Sequence, residues 1–251
     1  MLSEASILFL ALWLLVTILF LYSSYWAFVI RRALVTRLYR REALWIAGMG
    51  LFFVTLSAFL TIALSFQLNS LATNILGGLV ISGGFVLIFL WIDSTVLIAR
   101  RSDPLFRDTL RWSRIRYFFW IVTIGGAAGS FITAIQSGFS TIAPYGGLLF
   151  IGAIALLISA RRSGDPTLKR HLRWTGLCVF LLWLASQAQD PLSRLISDPY
   201  LVQSLIYPLV AAGAYSLYRS AKSLVPLGHL TLDEIREVSG SSAPSITQSR
   251  S

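Results

Sequence analysis

The chain alternates long apolar stretches with short segments that are rich in arginine. Seven segments are long enough, or nearly so, to supply the about 20 residues with which a helix crosses a hydrocarbon core. They are residues 5–30, 43–66, 75–99, 104–136, 141–160, 166–189 and 200–218, of which the fourth and sixth begin with polar turns. Backbone groups in a membrane must hydrogen-bond internally, which favours helices. The pattern predicts an all-α integral membrane domain over residues 1–222, with a short, largely disordered tail over residues 223–251.

The basic residues predict how these helices are oriented. Sixteen of the 21 Lys and Arg residues lie in three alternate connections, those after the first, third and fifth segments, and the other three connections hold Arg194 alone. By the positive-inside rule, these three connections and the C-terminus are cytoplasmic and the N-terminus is outside. The formal net charge of +10 is therefore dispersed over membrane-proximal turns. This placement argues against a nucleic-acid partner and favours a lipid bilayer with anionic headgroups.

Two of these basic connections repeat each other. Residues 99–104 read ARRSDP and residues 160–166 read ARRSGDP, and each is followed by a Leu-Arg-Trp triplet. Arginines favour the C-terminal end of a helix, whereas Asp and Pro favour the start of the next. Asp103 and Asp165 are thus predicted helix caps. The chain is expected to form three helical hairpins and a closing seventh helix, an arrangement found both in transporters and in plain scaffolds.

Asp93 is the one ionisable residue that the pattern places well inside a predicted span. It precedes the end of that span by six residues, or about 9 Å along a helix axis. Arginines at the ends of neighbouring helices are within reach at that depth. We expect Asp93 to form a salt bridge, or alternatively to serve as an ion or proton site.

Amides gather towards the opposite, outer side of the predicted bundle. Gln136, Gln187, Gln203 and Tyr207 could line a small outward-opening pocket between the fourth, sixth and seventh helices. The alternative is that these side chains only meet the polar headgroup region, where helix ends are ordinarily polar.

A third set of candidate residues is cationic. Arg107, Arg111 and Arg114 fall on one face of the predicted fourth helix, at spacings of four and three residues. Together with Arg170 and Arg173, they are expected to contact anionic headgroups or an acidic partner.

Gly125 and Gly129 form a GxxxG pair in the middle of the fourth segment. Small residues let helix backbones approach closely, which matters in lipid because there is no hydrophobic drive for helices to associate. The pair predicts close packing within the bundle or, alternatively, an interface with a second copy or another subunit.

Catalytic and cofactor motifs are missing from the sequence. It contains no GxSxG, HExxH, CxxC or P-loop pattern. The sequence has a single cysteine, Cys178, and two histidines, His171 and His229, and both histidines fall outside the apolar runs. These residues do not supply a haem site or a multi-cysteine metal site. The sequence therefore predicts a protein that is not an enzyme and that holds no cofactor.

Seven helices with an outside N-terminus invite comparison with microbial rhodopsins, which bind retinal through a lysine of the seventh helix. Residues 200–218 contain no lysine, which argues against that class. The leading hypothesis is a scaffold or accessory subunit of a larger membrane assembly, or a homo-oligomer. The alternative is a receptor or transporter for a small ligand entering from the outer face. The expected location is a plasma (inner) membrane, and the preference for Arg over Lys is typical of a GC-rich prokaryotic genome.

Overall fold

The computed structural model describes residues 4–65, 71–102, 112–137 and 147–228, and these residues form seven α-helices. The helices are α1 (Glu4–Ala33), α2 (Arg37–Ser65), α3 (Leu71–Ser102), α4 (Trp112–Ser137), α5 (Gly147–Arg162), α6 (Pro166–Leu195) and α7 (Pro199–Leu227). No strand occurs in this described part of the chain. The all-helical class predicted from the apolar stretches is confirmed.

Helices that follow one another in the chain run antiparallel, whereas α1 and α7 run parallel, and together the helices form a bundle. α1 packs on α2 and α7, α3 packs on α2 and α4, and α6 packs between α5 and α7. Smaller contacts join α2 to α7 and α3 to α6. In the described part of the chain, the substantial contact of α4 is with α3, so α4 lies at the periphery of the described helices.

Close approach of the central helices depends on small residues. The Ser24 hydroxyl of α1 donates to the carbonyl oxygen of Ala47 on α2 at 3.0 Å, and the Ser23 hydroxyl donates to that of Ala214 on α7 at 3.1 Å. Gly50 lies at the same α1–α2 contact, where a Cβ atom would come within 2.8 Å of the Phe20 carbonyl oxygen. These hydrogen bonds are possible because no side chain separates the backbones.

Five of the described helices are long and apolar enough to cross a membrane. The candidate spans are Ser6–Ala33, Arg37–Phe59, Leu71–Ser102, Arg116–Gln136 and Pro199–Leu227. They belong to α1, α2, α3, α4 and α7. α5 has 16 residues in its described extent, and α6 carries charged residues near both ends. Several apolar helices of this length are compatible with a membrane location.

The helices extend beyond the apolar stretches that predict them. α2 begins at Arg37, so that Glu42 lies within the helix and not in a connection. α7 continues to Leu227, so that residues 223–227, predicted as part of a disordered tail, are helical and include buried Leu224. A helix ends where its backbone hydrogen bonds end, and polar residues in its last turns do not interrupt it. Residues 229–251 lie outside the described part of the chain.

The α1–α2 contact makes a prediction about stability. Gly50→Ala should destabilise the bundle by about 1–3 kcal/mol, because the new methyl group overpacks against a backbone oxygen. Gly83→Ala on α3, where no atom lies within 4 Å of the added Cβ, should be neutral or stabilise by up to about 1 kcal/mol through helix propensity. Unfolding midpoints in detergent measure both variants. Equal midpoints would show that Gly50 does not set the α1–α2 distance.

Candidate functional site

Ionisable side chains converge at one end of the bundle, which we call the basic end. There α1, α3, α5 and α7 finish and α2, α4 and α6 begin, and the arginines of these termini surround three fully buried groups: Glu42, Asp93 and His171. The expectation that Asp93 alone is deeply buried is wrong. It fails because Glu42 and His171 lie in helical turns beyond the apolar stretches, yet other helices cover them.

Asp93 of α3 is paired with arginines from two other helices. Arg116 of α4 approaches it with two nitrogens, Nε at 2.9 Å from Oδ1 and Nη2 donating to Oδ2 at 2.9 Å. Arg41 of α2 places Nη2 at 3.6 Å from Oδ2. Asp93 is 0% exposed, whereas the two arginine side chains are 38% and 40% exposed. The carboxylate is therefore neutralised from the side that reaches solvent, and it links α2, α3 and α4.

Glu42 of α2 forms a second buried pair, with His171 of α6. Glu42 Oε1 lies 3.3 Å from His171 Nε2, and both side chains are 0% exposed. The Thr95 hydroxyl of α3 donates to the same carboxyl oxygen at 2.6 Å. Three helices thus meet at one oxygen atom, and burial of this kind is costly unless the groups are paired.

The other ring nitrogen of His171 faces α7. Nδ1 lies 2.8 Å from Ser223 Oγ and 3.3 Å from the Ser220 carbonyl oxygen. Ser223 donates its hydroxyl hydrogen to the same carbonyl at 2.6 Å. Nearby, the hydroxyls of Thr175 and Ser220 are 2.7 Å apart. His171 therefore connects the carboxyl group on α2 with a serine on α7.

The two ring nitrogens of His171 have different surroundings. Nδ1 has a hydroxyl oxygen and a carbonyl oxygen within hydrogen-bond distance. Nε2 lies at ion-pair distance from Glu42 Oε1 but forms no hydrogen bond with the described residues. The geometry defines a buried pair of ionisable groups between α2 and α6.

The remaining oxygen of Glu42, Oε2, is also buried, and it has no hydrogen-bond partner among the described residues. A buried polar atom without a partner costs free energy, so this site is held by the packing of the helices around it.

Sequence reasoning missed Glu42 because it began the second helix at residue 43, and it missed His171 because it took the first turns of the sixth helix to be polar and outside the core. Glu42 follows Arg40 and Arg41, and His171 follows Lys169 and Arg170, so both resemble turn residues. Helical spacing in the sequence indicates that His171 is buried. Continuing α6 from Asp165 places His171 with Leu168, Leu172 and Thr175 on one side, and all four are buried.

The residues of the predicted outer pocket are not brought together by the described contacts. Gln136 is exposed on α4, which packs on α3, whereas Gln187 and Gln203 lie on α6 and α7. Tyr207 Oη lies 3.3 Å from Ser57 Oγ of α2, and its ring meets Phe9 of α1 edge-on at 5.6 Å. Tyr207 therefore contacts helices on the other side of α7.

The structure describes one of the two predicted helix caps and two of the five predicted headgroup-binding arginines. Asp165 Oδ1 accepts from the backbone N–H of Thr167 at 2.8 Å and caps α6. Arg170 and Arg173 are exposed on α6. Asp103, Arg107 and Arg111 lie outside the described residues, and Arg114 lies in the first turn of α4, where its side chain is not described.

The longer α7 also changes the argument about lysine. The helix contains Lys222, four residues beyond the predicted end of the span. Its side chain is exposed, and Nζ lies 5.6 Å from the centre of the Tyr218 ring. This lysine is at the basic end and not in the enclosed interior. The argument against a retinal site therefore depends on where the lysine lies and no longer on the absence of a lysine from the helix.

The fold and the site together define an all-helical bundle of the membrane-protein type with a buried ionic network at one end. Comparisons of the chain with models of known families, with curated proteins and with solved structures found no match in any of the three.

The buried pair makes a prediction about Glu42. Glu42→Leu should destabilise by about 3–5 kcal/mol, because it removes one member of a buried pair. Glu42→Gln should cost less, because the amide oxygen can still accept from the Thr95 hydroxyl. The double variant Glu42→Leu, His171→Leu should recover most of the loss, as apolar replacements of whole pairs do. Detergent unfolding curves compare the three, and indistinguishable Gln and Leu variants would show that hydrogen bonding at this position contributes no stability.

The geometry around Asp93 ranks its two arginines. Arg116→Gln removes a two-point contact and should destabilise by about 2 kcal/mol. Arg41→Gln removes one longer, partly exposed contact and should cost less than about 1 kcal/mol. Arg101→Gln, at the exposed end of α3, is the matched control and should leave the unfolding midpoint unchanged. A larger loss of stability in Arg41→Gln than in Arg116→Gln would contradict this ranking.

Proposed function

We propose that the chain is a non-catalytic, multi-pass membrane protein that acts as an accessory subunit or scaffold of a larger membrane assembly. In this proposal all seven helices cross a plasma membrane, the N-terminus is outside and the basic end faces the cytoplasm. The clustering of arginines at one end of the helices supports that orientation.

The observation that carries the subunit role is the uncovered face of α4. Gly125 and Ala128 are exposed, and Gly129 is partly buried beside them. We call these three residues the small face. Exposed isoleucines flank it, at Ile121, Ile124 and Ile132. No atom of the described chain lies within 4 Å of a Cβ built on Gly125.

A face of this shape is typical of helix–helix contact in membranes. Lipid chains fit large and small side chains alike, so apolar exposure alone does not distinguish a lipid-facing helix. A shallow groove between larger side chains lets a second helix approach closely and gain van der Waals contact. Among the described helices α4 has one substantial neighbour, and the proposal places a helix of another chain in this groove.

Purification in mild detergent tests the subunit role. The chain should carry a different membrane protein in stoichiometric amount, and Gly125→Ile with Ala128→Ile should release it by filling the groove. Gly83→Ile on α3 is a matched control, since Gly83 is also exposed with open space around it. All variants should keep the unfolding midpoint of the unmodified chain.

Two outcomes contradict this proposal. A monomer, or an assembly that contains this chain alone, argues against the accessory-subunit role. A partner that the doubly substituted α4 retains, or that Gly83→Ile also releases, argues against the small face as its binding surface.

A receptor or transporter for a small ligand is the second candidate, and the buried Glu42–His171 pair favours it. Ionisable groups within a membrane bundle are expensive and often functional. A buried histidine beside a carboxyl group suits a device that responds to a bound charge. This candidate places the ligand at the basic end, in contrast to the outward-opening pocket expected from the sequence.

A further inference from the structure

We propose that a cavity at the basic end, between α6 and α7, binds a phosphate group, and that Ser223 connects this site to the buried Glu42–His171 pair. The cavity has a volume of about 290 Å³ and is lined by Arg170, Tyr218, Arg219, Lys222 and Ser223, among others. We call it the cationic cavity. This inference does not depend on the small face of α4.

The charge of the cavity identifies the class of ligand. Arg170, Arg219 and Lys222 contribute three cations, and no carboxylate of the described residues lies within ion-pair distance of any of them. Cations that converge without a counter-ion among the described residues suit an external anion. Phosphate, with several acceptor oxygens, suits both the planar guanidinium groups and the ammonium group.

Arg219 is held in place before any ligand arrives. Its guanidinium carbon lies 4.9 Å from the centre of the Trp174 ring and 5.8 Å from that of Tyr215, and Nη1 donates to Tyr215 Oη at 2.9 Å. One nitrogen is therefore occupied and the others are left to donate elsewhere. Preorganised donors lower the entropy cost of binding.

The cavity size limits the ligand to a small one. A volume of 290 Å³ is near the lower bound of about 300 Å³ for small-molecule sites. It accommodates a phosphate group with a short substituent. Inorganic phosphate and the phosphate of an anionic lipid headgroup share this chemistry, and the experiment below separates them.

Ser223 gives the site a connection to the interior. It lines the cavity, and its hydroxyl oxygen is 2.8 Å from His171 Nδ1, whose ring reaches Glu42 through Nε2. In the absence of a ligand, the Ser223 hydroxyl donates to the Ser220 carbonyl oxygen at 2.6 Å. An anion in the cavity offers this hydroxyl a stronger acceptor. When the hydroxyl turns to the anion, the hydrogen bonding at His171 Nδ1 changes with it.

Nitrogen NMR of the histidine ring tests the proposal in the full-length chain. His229→Ala leaves His171 as the only histidine, and the protein is placed in phosphatidylcholine nanodiscs. One arm titrates inorganic phosphate, and the other replaces part of the phosphatidylcholine with phosphatidic acid. In at least one arm, the ring-nitrogen signals of His171 should shift, with the larger change at Nδ1, which faces Ser223.

Two pairs of exposed cations provide the matched comparison. Arg170→Gln with Lys222→Gln should weaken the response by about tenfold or more, since two charged hydrogen bonds are lost. Arg161→Gln with Arg162→Gln removes the same charge at the same end of the bundle, outside the cavity, and should leave it unchanged. Ser223→Ala should retain binding, measured by isothermal titration or lipid retention, and lose the His171 response.

Each outcome decides the proposal. A response to inorganic phosphate alone identifies a soluble ligand, and a response to phosphatidic acid alone identifies a lipid, and either supports the site. Absence of binding in both arms overturns it. If Arg161→Gln with Arg162→Gln weakens the response as much as Arg170→Gln with Lys222→Gln does, the response reflects diffuse surface charge. That result overturns the proposal as well. A Ser223→Ala variant that keeps the His171 response overturns the connection while the cavity still binds.

Discussion

A charged side chain that leaves water loses more free energy than most single contacts return, so it persists inside a bundle only where partners surround it. In this protein the partners come from different helices. Asp93 of α3 is held by Arg116 of α4 and Arg41 of α2, and Glu42 of α2 is held by His171 of α6 and Thr95 of α3. The two networks therefore constrain five helices, once Ser223 of α7 is included.

Such pairs specify the arrangement of helices more than they stabilise it. Apolar side chains tolerate sliding or rotation of one helix along another, whereas a buried ion pair is satisfied at one register only, a use of buried polar groups that is attested in coiled coils. The networks lie at the basic end, and the opposite halves of the helices pack through apolar and small residues. α4 is tied by Arg116 and otherwise packs on α3, which leaves its small face uncovered.

Local features of this fold could be read from the sequence, whereas contacts between helices could not. A cap such as Asp165 bonds an N–H two residues away, so its chemistry is contained in the segment itself. Helical class follows similarly from the apolar stretches. The Glu42–His171 pair joins residues 129 positions apart, and neither lies in a long apolar stretch. Hydropathy places such residues outside the core, because it scores each side chain without its neighbours.

The excess of positive charge has two components that differ in role. Arginines such as Arg161 and Arg162 lie exposed at a helix end, where they suit headgroups and the helix dipole. Arg41 and Arg116 instead neutralise a buried carboxylate and are unavailable to an external anion. Arg170, Arg219 and Lys222 belong to neither set, since they surround a cavity without a counter-ion in the described chain. Ser223 lines that cavity and also contacts His171, which lies beside Glu42, so the cationic surface and the buried ionisable pair are joined through one side chain.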